Sequence, residues 1–206
     1  GGDSKMLDHT IITISREYGS GGREVCKILS QKLNIPYFDR EVLLDAAKKM
    51  GIHEVDYRTL NKISYESNRV TFGNDTFYPR EASQISDTHQ MFLHQSATIK
   101  KIAKEGGAIF LGRCSDYLLK DYPRTYSFYT CASEEFRTRR AGEKYDGMSF
   151  KKLEKIDKKR RAYYKKYTGR KMGDPQNYDM TFQIGKMTPE EAADMIISYI
   201  ETQQSK

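Results

Sequence analysis

Residues 11–25 read Ile-Ile-Thr-Ile-Ser-Arg-Glu-Tyr-Gly-Ser-Gly-Gly-Arg-Glu-Val, and this stretch decides the fold of the chain. Its apolar, β-branched start predicts a buried strand. Gly19, Gly21 and Gly22 follow, and from Val25 onward apolar residues recur at the spacing of a helix. This layout suits a phosphate, because glycine backbones let N–H groups converge on an anion and the helix N-terminus adds its dipole. The alternative is a glycine-rich turn that holds no ligand.

The turn departs from the P-loop pattern G-x-x-x-x-G-K-[ST], notably at the lysine and at the hydroxyl residue that follows it. Gly22 occupies the lysine position, and Arg23 supplies a cation one residue later. Arg23 and Glu24 also occupy the region of the Ser or Thr that would hold Mg²⁺. The residues predicted to bind phosphate are Gly19, Ser20, Gly21, Gly22, Arg23 and Glu24.

Length and composition indicate a single α/β domain in a reducing compartment. The chain has 206 residues, enough for a substantial core. No apolar run reaches the roughly 18 residues that span a membrane, and no signal peptide is visible. Cys26, Cys114 and Cys131 are widely spaced, which favours free thiols over a disulfide framework or a zinc site. We therefore expect a cytoplasmic protein without membrane contact.

The formal net charge is +7, and the basic excess lies largely between 137 and 171. Such a patch suits an anionic partner. Nucleic acid, nucleotide phosphates and an acidic protein all remain open from charge alone.

Strands and helices are predicted to alternate along the chain. The expected strands are 9–15, 36–38, 108–111, 125–129 and 178–184. The expected helices are 24–33, 40–50, 88–105, 115–120, one beyond Ser133, one from Ser149 to Thr168, and a closing helix that starts with the capping box Thr188-Pro-Glu-Glu. This alternation predicts a parallel sheet with helices on both faces.

Polar residues are expected at the edge of this sheet where ligands bind. Asp39 ends the second strand, so its carboxylate either faces the ligand crevice or caps the next helix, or does both. Arg113 follows the third strand at the same edge. Two later helices carry an arginine cluster and flank a turn, as a hinged cover would; the cluster comprises Arg137, Arg139, Arg140, Arg160 and Arg161. A guanidinium group binds two phosphate oxygens at once. Such a cluster suits phosphoryl transfer, because the transition state of that reaction needs its negative charge stabilised.

These features together resemble the cytidylate-kinase-like branch of the P-loop nucleoside monophosphate kinases. The blocks that carry the resemblance are Ile14-Ser-Arg-Glu-Tyr-Gly-Ser-Gly-Gly-Arg23, Tyr37-Phe-Asp-Arg40, Leu111-Gly-Arg-Cys-Ser-Asp-Tyr-Leu118, Ser133-Glu-Glu-Phe-Arg-Thr-Arg-Arg140, Asp157 to Arg161, and Gly173-Asp-Pro-Gln-Asn-Tyr-Asp179.

The resemblance implies one kinase-like domain over 1–206 with a five-stranded parallel core. The core would comprise 8–50, 106–140 and 172–206, with an acceptor-binding insertion at 51–105 and a lid at 141–171. The insertion is apolar enough over 52–87 to favour a homodimer.

The resemblance also implies roles for individual residues. Catalytic roles fall to Arg23, Arg139, Arg140 and Arg160. Acceptor binding falls to Asp39, Arg40, Arg113, Asp116, Asp157, Arg160 and Arg161. No side chain is assigned to a metal directly, although Asp39 could reach one through water. ATP and Mg²⁺ are the implied cofactors.

Four departures from the family pattern qualify these roles. The phosphate-loop lysine and the following hydroxyl residue are absent. Cys114 stands where the family has an acid after the arginine, although Asp116 is near. Asp45 stands where an acceptor-binding arginine is expected.

Three functions remain open from the sequence. The first is ATP-dependent phosphoryl transfer to a small acceptor, with a cytidine nucleotide as the leading choice and Arg23 in place of the lysine. The second is a protein of this fold that binds a nucleotide or phosphometabolite without turnover. The third is a nucleic-acid-binding protein that uses the basic 151–171 stretch. The sequence contains no recognised nucleic-acid-binding motif in support of this function.

Overall fold

The computed structural model describes residues 9–49 and 87–206. Within these ranges the strands form one sheet in the order β2-β3-β1-β4-β5, and every neighbouring pair is parallel. The strands are β1 (Ile11–Arg16), β2 (Tyr37–Phe38), β3 (Ala108–Leu111), β4 (Thr125–Ala132) and β5 (Met180–Ile184). This confirms the predicted five-stranded parallel sheet. Of the predicted insertion at 51–105, residues 51–86 with their apolar content lie outside the described residues, whereas 87–105 form a described helix.

Helices connect the strands in the predicted alternation. They are α1 (Gly22–Leu33), α2 (Arg40–Lys49), α3 (Asp87–Glu105), α4 (Ser115–Leu118), α5 (Glu134–Lys144), α6 (Phe150–Thr168) and α7 (Pro189–Gln204), with a short 3₁₀ helix at Pro175–Asn177. Most of the predicted bounds agree to within two residues. The helix predicted at 115–120 is shorter and ends at Leu118.

The core consists of two apolar layers, one on each face of the sheet. Ile12 and Ile14 of β1 belong to the layer that α1 and α7 cover. Ile11 belongs to the layer that α2, α3 and α6 cover. Because side chains alternate between faces along a strand, a run of apolar residues in β1 can supply both layers. Helices therefore cover both faces, as predicted.

The fourth strand is longer than predicted, because β4 pairs with neighbours on both sides. Its register aligns Thr130 with Arg16 of β1 and Ala132 with Ile184 of β5. The prediction ended this strand at Tyr129 because the sequence beyond it, Thr-Cys-Ala, gives no alternating pattern. Tertiary pairing extends the strand to the edge where the loops after β1 and β3 also lie.

Candidate active site

The loop from 17 to 22, called here the glycine loop, joins the central strand β1 to α1. Gly19 and Gly21 adopt φ values of 79° and 90°, a region that favours glycine. Gly21 is the N-cap of α1, and no side chain caps this helix. The first N–H groups of α1 therefore point out of the helix without a side-chain acceptor, which is the arrangement that binds anions.

Ser20 fastens the glycine loop to β4. Its side chain is fully buried, and its Oγ lies 2.9 Å from the hydroxyl of Thr130 and 3.1 Å from the Thr130 carbonyl oxygen. The Glu17 amide also donates to that carbonyl at 3.0 Å. The Ser20 hydroxyl also lies 2.9 Å from the Glu17 carbonyl oxygen, and the Ser20 amide donates to the same carbonyl at 3.4 Å. The role of Ser20 in phosphate binding stays a prediction.

Two buried residues, Arg137 of α5 and Asp157 of α6, bind the backbone of the glycine loop, and we call them the loop clamp. Asp157 accepts from the Tyr18 amide at 2.8 Å, and Arg137 Nε donates to the Tyr18 carbonyl at 2.8 Å. The two clamp side chains also pair with each other at 2.5 Å, and each is only 3% exposed. Burial raises the pKa of Asp157, and the Tyr18 amide and Arg137 act against that rise.

Asp39 joins the glycine loop to α2. One carboxylate oxygen accepts from the backbone amides of Glu41 and Val42 at 3.0 and 3.1 Å, so Asp39 caps α2. The other lies 3.3 Å from Arg23 Nη2. The structure therefore shows Asp39 as the cap of α2, and its place at a ligand crevice stays a prediction.

Glu24 pairs with the end of α5. Its Oε1 lies 2.5 Å from Arg140 and 3.3 Å from Lys144. Burial would raise the pKa of Glu24, but Arg140 and Lys144 outweigh it and hold that pKa below its usual range. Glu24 thus neutralises Arg140, which was predicted to be catalytic. Arg139 of the same helix is exposed and lies over the Phe136 ring at 5.4 Å.

The remaining arginines predicted to bind the acceptor occupy different environments. Arg160 lies 3.4 Å from Asp157 and over the Tyr18 ring at 4.9 Å, beside the glycine loop. Arg161 is further out and pairs with the partly exposed Glu154 at 3.2 Å. Arg113 is partly buried just after β3, and Arg40 is exposed at the start of α2. Burial lowers the pKa of both Arg113 and Arg160.

Asp116 lies in a buried contact with α6. The Tyr164 hydroxyl donates to its Oδ2 at 2.6 Å, while its Oδ1 is buried without a partner. Burial raises the pKa of this carboxyl. The role of Asp116 in acceptor binding therefore stays a prediction, and its observed contact joins the turn after β3 to the helix that carries Asp157 and Arg160.

Sequence reasoning missed two residues at this site. Arg137 was counted in a cluster on a helix face, yet it is buried in the loop clamp. Arg16 was named only within the family motif, one residue beyond the predicted first strand, yet its side chain packs against Gly22 and reaches Gly112. The available signal for Arg16 was its place directly before the loop, at the carboxyl end of a central parallel strand, where polar side chains meet ligands.

The sheet order and the glycine loop between β1 and α1 define a P-loop kinase fold. Residues 11–186 match the cytidylate kinase-like family, and the chain belongs to that family. No curated protein matches the sequence.

Several solved structures share the fold. An uncharacterised protein from Eubacterium ventriosum is 30% identical with a TM-score of 0.72, and the match covers 94% of this chain and 99% of that one. A shikimate kinase from Acinetobacter baumannii, solved with shikimate, is 13% identical with a TM-score of 0.54 and coverages of 98% and 99%. A gluconokinase from Sinorhizobium meliloti is 12% identical with a TM-score of 0.53 and coverages of 96% and 94%. The two kinases are similar in fold alone.

The described residues contain neither a membrane-spanning helix nor a cluster of metal-binding side chains. Among residues 9–49 and 87–206, no helix is long and apolar enough to cross a membrane. The same ranges contain no group of three or more His, Cys, Asp or Glu residues placed to hold a metal ion.

Proposed function

We propose that the protein transfers a phosphoryl group from ATP to a small acceptor, most favourably a cytidine or deoxycytidine monophosphate. One observation carries the proposal. Arginines from separate elements lie near the glycine loop and the ends of β1 and β3. Arg16 packs against Gly22 and Gly112, and Arg113 follows Gly112 directly. Arg160 pairs with Asp157, the carboxylate that accepts from the Tyr18 amide. A site that concentrates positive charge beside an uncapped helix N-terminus is suited to phosphates on both a donor and an acceptor. Family membership supports phosphoryl transfer in general, and the cytidine acceptor rests on the resemblance of the motifs.

The described residues fit a polyphosphate chain. The glycine loop offers backbone N–H groups at the start of α1, and arginine forks bind phosphate oxygens in pairs while staying charged. Bound Mg²⁺–ATP would supply the transferable phosphoryl group and neutralise the charge of the phosphates. Since Arg23 replaces the usual hydroxyl ligand, the metal would rely on phosphates and water, which Mg²⁺ commonly retains. Asp39 could then contact it only through water.

The side chains at the site have complementary roles in this proposal. Asp39 orients Arg23 from α2, and Asp157 holds Arg160 beside the loop. Arg113 faces the same edge from the turn after β3. Closure of the lid would bring further arginines toward the phosphates and exclude water, which strengthens electrostatic stabilisation.

A coupled assay with ATP and Mg²⁺ tests this function. The acceptor panel contains the four ribonucleoside monophosphates, dCMP and the free nucleosides. We expect turnover on one acceptor and a fall of about 100-fold or more in Arg23→Ala and in Arg160→Ala. Lys159→Ala is the matched control, because Lys159 is exposed on α6 next to Arg160 and should leave turnover unchanged.

A binding protein without turnover is the second candidate, and the missing lysine and hydroxyl ligand favour it. Absence of product on every acceptor, together with a higher melting temperature in nucleotide, would support this candidate over the kinase. A ligand at 100 times its Kd stabilises a protein by about 2.7 kcal/mol, so the shift is measurable.

A further inference from the structure

The side chain of Arg16 packs closely against Gly22, and this contact accounts for the absence of a lysine at position 22. A Cβ atom added at Gly22 would lie 3.0 Å from Arg16 Cβ, 3.2 Å from Arg16 Cγ and 2.8 Å from Thr130 Oγ1. A side chain at position 22 would therefore begin in tight contact with the Arg16 stem and closer still to the Thr130 hydroxyl. A lysine at position 22 would force one of these neighbours to shift, because packed interiors leave little room for an added stem, so the observed Arg16 conformation favours glycine.

The far end of Arg16 lies at the neighbouring strand. A Cβ atom at Gly112 would overlap the Arg16 guanidinium at Nη1. Gly112 follows β3 directly, and its φ of 72° also favours glycine. Two glycines thus make the space for this one side chain, at position 22 for its stem and at position 112 for its guanidinium. The cation consequently sits between the ends of β1 and β3, beneath the glycine loop.

The charge around Arg16 is unbalanced. In the part of the chain that the structure describes, no carboxylate pairs with Arg16; Asp39 is paired with Arg23, and Asp157 with Arg137 and Arg160. Burial lowers the pKa of Arg16 to about 9, and the nearby cations Arg160, Arg113 and Arg23 act in the same direction. A partly buried cation among cations is costly unless an anion joins it.

We propose that Arg16 takes over the role of the phosphate-loop lysine and binds the terminal phosphate of the donor. The proposal rests on the proposed function for the identity of the donor, and its core claim is that Arg16 binds a polyphosphate anion. Arg16 is the last residue of β1, whereas the usual lysine lies at the start of α1. The positive charge therefore comes from the strand, and position 22 stays a glycine. In this assignment Arg23, which is more than half exposed and paired with Asp39, is an auxiliary cation.

Titration calorimetry of the whole chain with inorganic tripolyphosphate tests the proposal without any need for turnover. The variants are Arg16→Gln, Arg16→Lys and, as the matched comparison, Arg23→Gln. Hydrogen bonds to charged groups contribute more binding free energy than neutral ones do. We therefore expect Arg16→Gln to weaken tripolyphosphate binding by about 10- to 100-fold. Arg16→Lys should keep part of the affinity, because it retains the charge and loses the fork. Arg23→Gln should lose less than Arg16→Gln.

Melting temperatures of the free variants distinguish binding from a structural role. If Arg16 serves an absent anion, Arg16→Gln should melt at or above the temperature of the unaltered protein, and tripolyphosphate should no longer raise it. A lower melting temperature for the free Arg16→Gln variant would make Arg16 a structural residue and overturn the proposal. The proposal also fails if tripolyphosphate does not bind the unaltered protein, or binds Arg16→Gln equally well.

The outcomes separate this proposal from the kinase function. Loss of tripolyphosphate binding in Arg16→Gln, with no turnover on any acceptor in the unaltered protein, would uphold the anion site and reject the kinase. Turnover and tripolyphosphate binding that both survive in Arg16→Gln would uphold the kinase and reject Arg16.

Discussion

At the scale of single residues, the loop clamp shows how one carboxylate can serve the backbone instead of a ligand. Asp157 is 2% exposed and accepts from the Tyr18 amide, while two arginines share its oxygens. Because a buried charge is stable only when paired, Asp157 and Arg137 depend on each other. The clamp also fixes the peptide that leads into the glycine loop, so its loss should affect both stability and the site.

Removal of the clamp carboxylate should be strongly destabilising. Asp157→Ala leaves Arg137 buried without its closest partner and frees the Tyr18 amide, so we expect a loss of about 3–5 kcal/mol in the free energy of unfolding. Urea denaturation measures this loss. Glu154→Gln is the control, because Glu154 also pairs with Arg137 but is 39% exposed, and it should cost about 1 kcal/mol or less. Equal losses in the two variants would contradict the clamp.

The buried Asp116 should make stability depend on pH. Its folded pKa is raised by burial, so the folded protein binds this proton more tightly than the unfolded chain does. The resulting stabilisation is fully present below the unfolded pKa and is lost as pH rises through the folded pKa. Asp116→Asn stays neutral, and its free energy of unfolding should therefore rise relative to the unaltered protein as the pH increases above the ordinary carboxyl value of 3.8.

Asp121→Asn provides the control for that titration. Asp121 is 85% exposed and lies 3.7 Å from Lys120. Because Asp121 is exposed, this variant controls for the removal of one surface carboxylate. A difference between Asp116→Asn and the unaltered protein that does not change with pH would show that burial of Asp116 does not perturb its ionisation.

At the scale of elements, two helices follow N-cap residues of similar type, but only one of these residues makes a capping hydrogen bond. Thr188 and Glu191 form the predicted capping box at the start of α7, with bonds of 3.1 and 2.7 Å to each other's backbone amides. Ser149 precedes α6 and has the same kind of side chain, yet it makes no capping hydrogen bond. The residue type is the same class in both places, and only the local geometry differs.

Substitution of these caps should distinguish them. Thr188→Ala should lower the free energy of unfolding by about 1 kcal/mol, because it leaves the Glu191 amide without its acceptor. Ser149→Ala should change it by no more than about 0.5 kcal/mol. Urea denaturation of both variants checks the pair, and a loss at Ser149 as large as that at Thr188 would refute the distinction.

At the scale of the whole molecule, the two apolar layers on the sheet protect the thiols. Cys26 belongs to the layer under α1 and α7, and Cys114 to the opposite layer. Burial raises the pKa of Cys26 to about 12 and also raises that of Cys114. Cys131 is only partly buried in β4. Reactivity of the two buried thiols therefore reports on opening of the core as a whole, since the thiolate is the reactive form.

Thiol labelling should follow this order. With a disulfide reagent near pH 8, we expect Cys131 to react first in the folded protein and Cys26 and Cys114 to react at the rate of unfolding. In denaturant all three of the chain's cysteines should react quickly. Mass spectrometry of labelled peptides assigns the sites. Rapid labelling of Cys26 in the folded state would contradict a closed layer beneath α1.

Much of the architecture was predictable because it depends on local patterns. The apolar run at 11–14, the apolar run at 108–111 and the capping box at Thr188 each indicate their element without reference to distant residues. The end of β4 was wrong in the prediction, because pairing with two neighbouring strands extends it to Ala132. The identity of Asp39 as a helix cap could be read from the sequence, whereas its partner Arg23 could only be guessed.

The sequence by itself determined the alternation of strands and helices, the parallel sheet, the glycine loop and the family, since these follow from periodicity and short motifs. Only the tertiary structure decided what each charge does. It buried Arg137 and Asp157 against the Tyr18 backbone, paired Arg140 with Glu24, and laid Arg16 beneath Gly22 and against Gly112. The physical reason is that a charge takes its role from its partners and from the water it has lost. Several of these partners are distant in the chain: Arg137 and Tyr18 are 119 positions apart, and Arg140 and Glu24 are 116 apart.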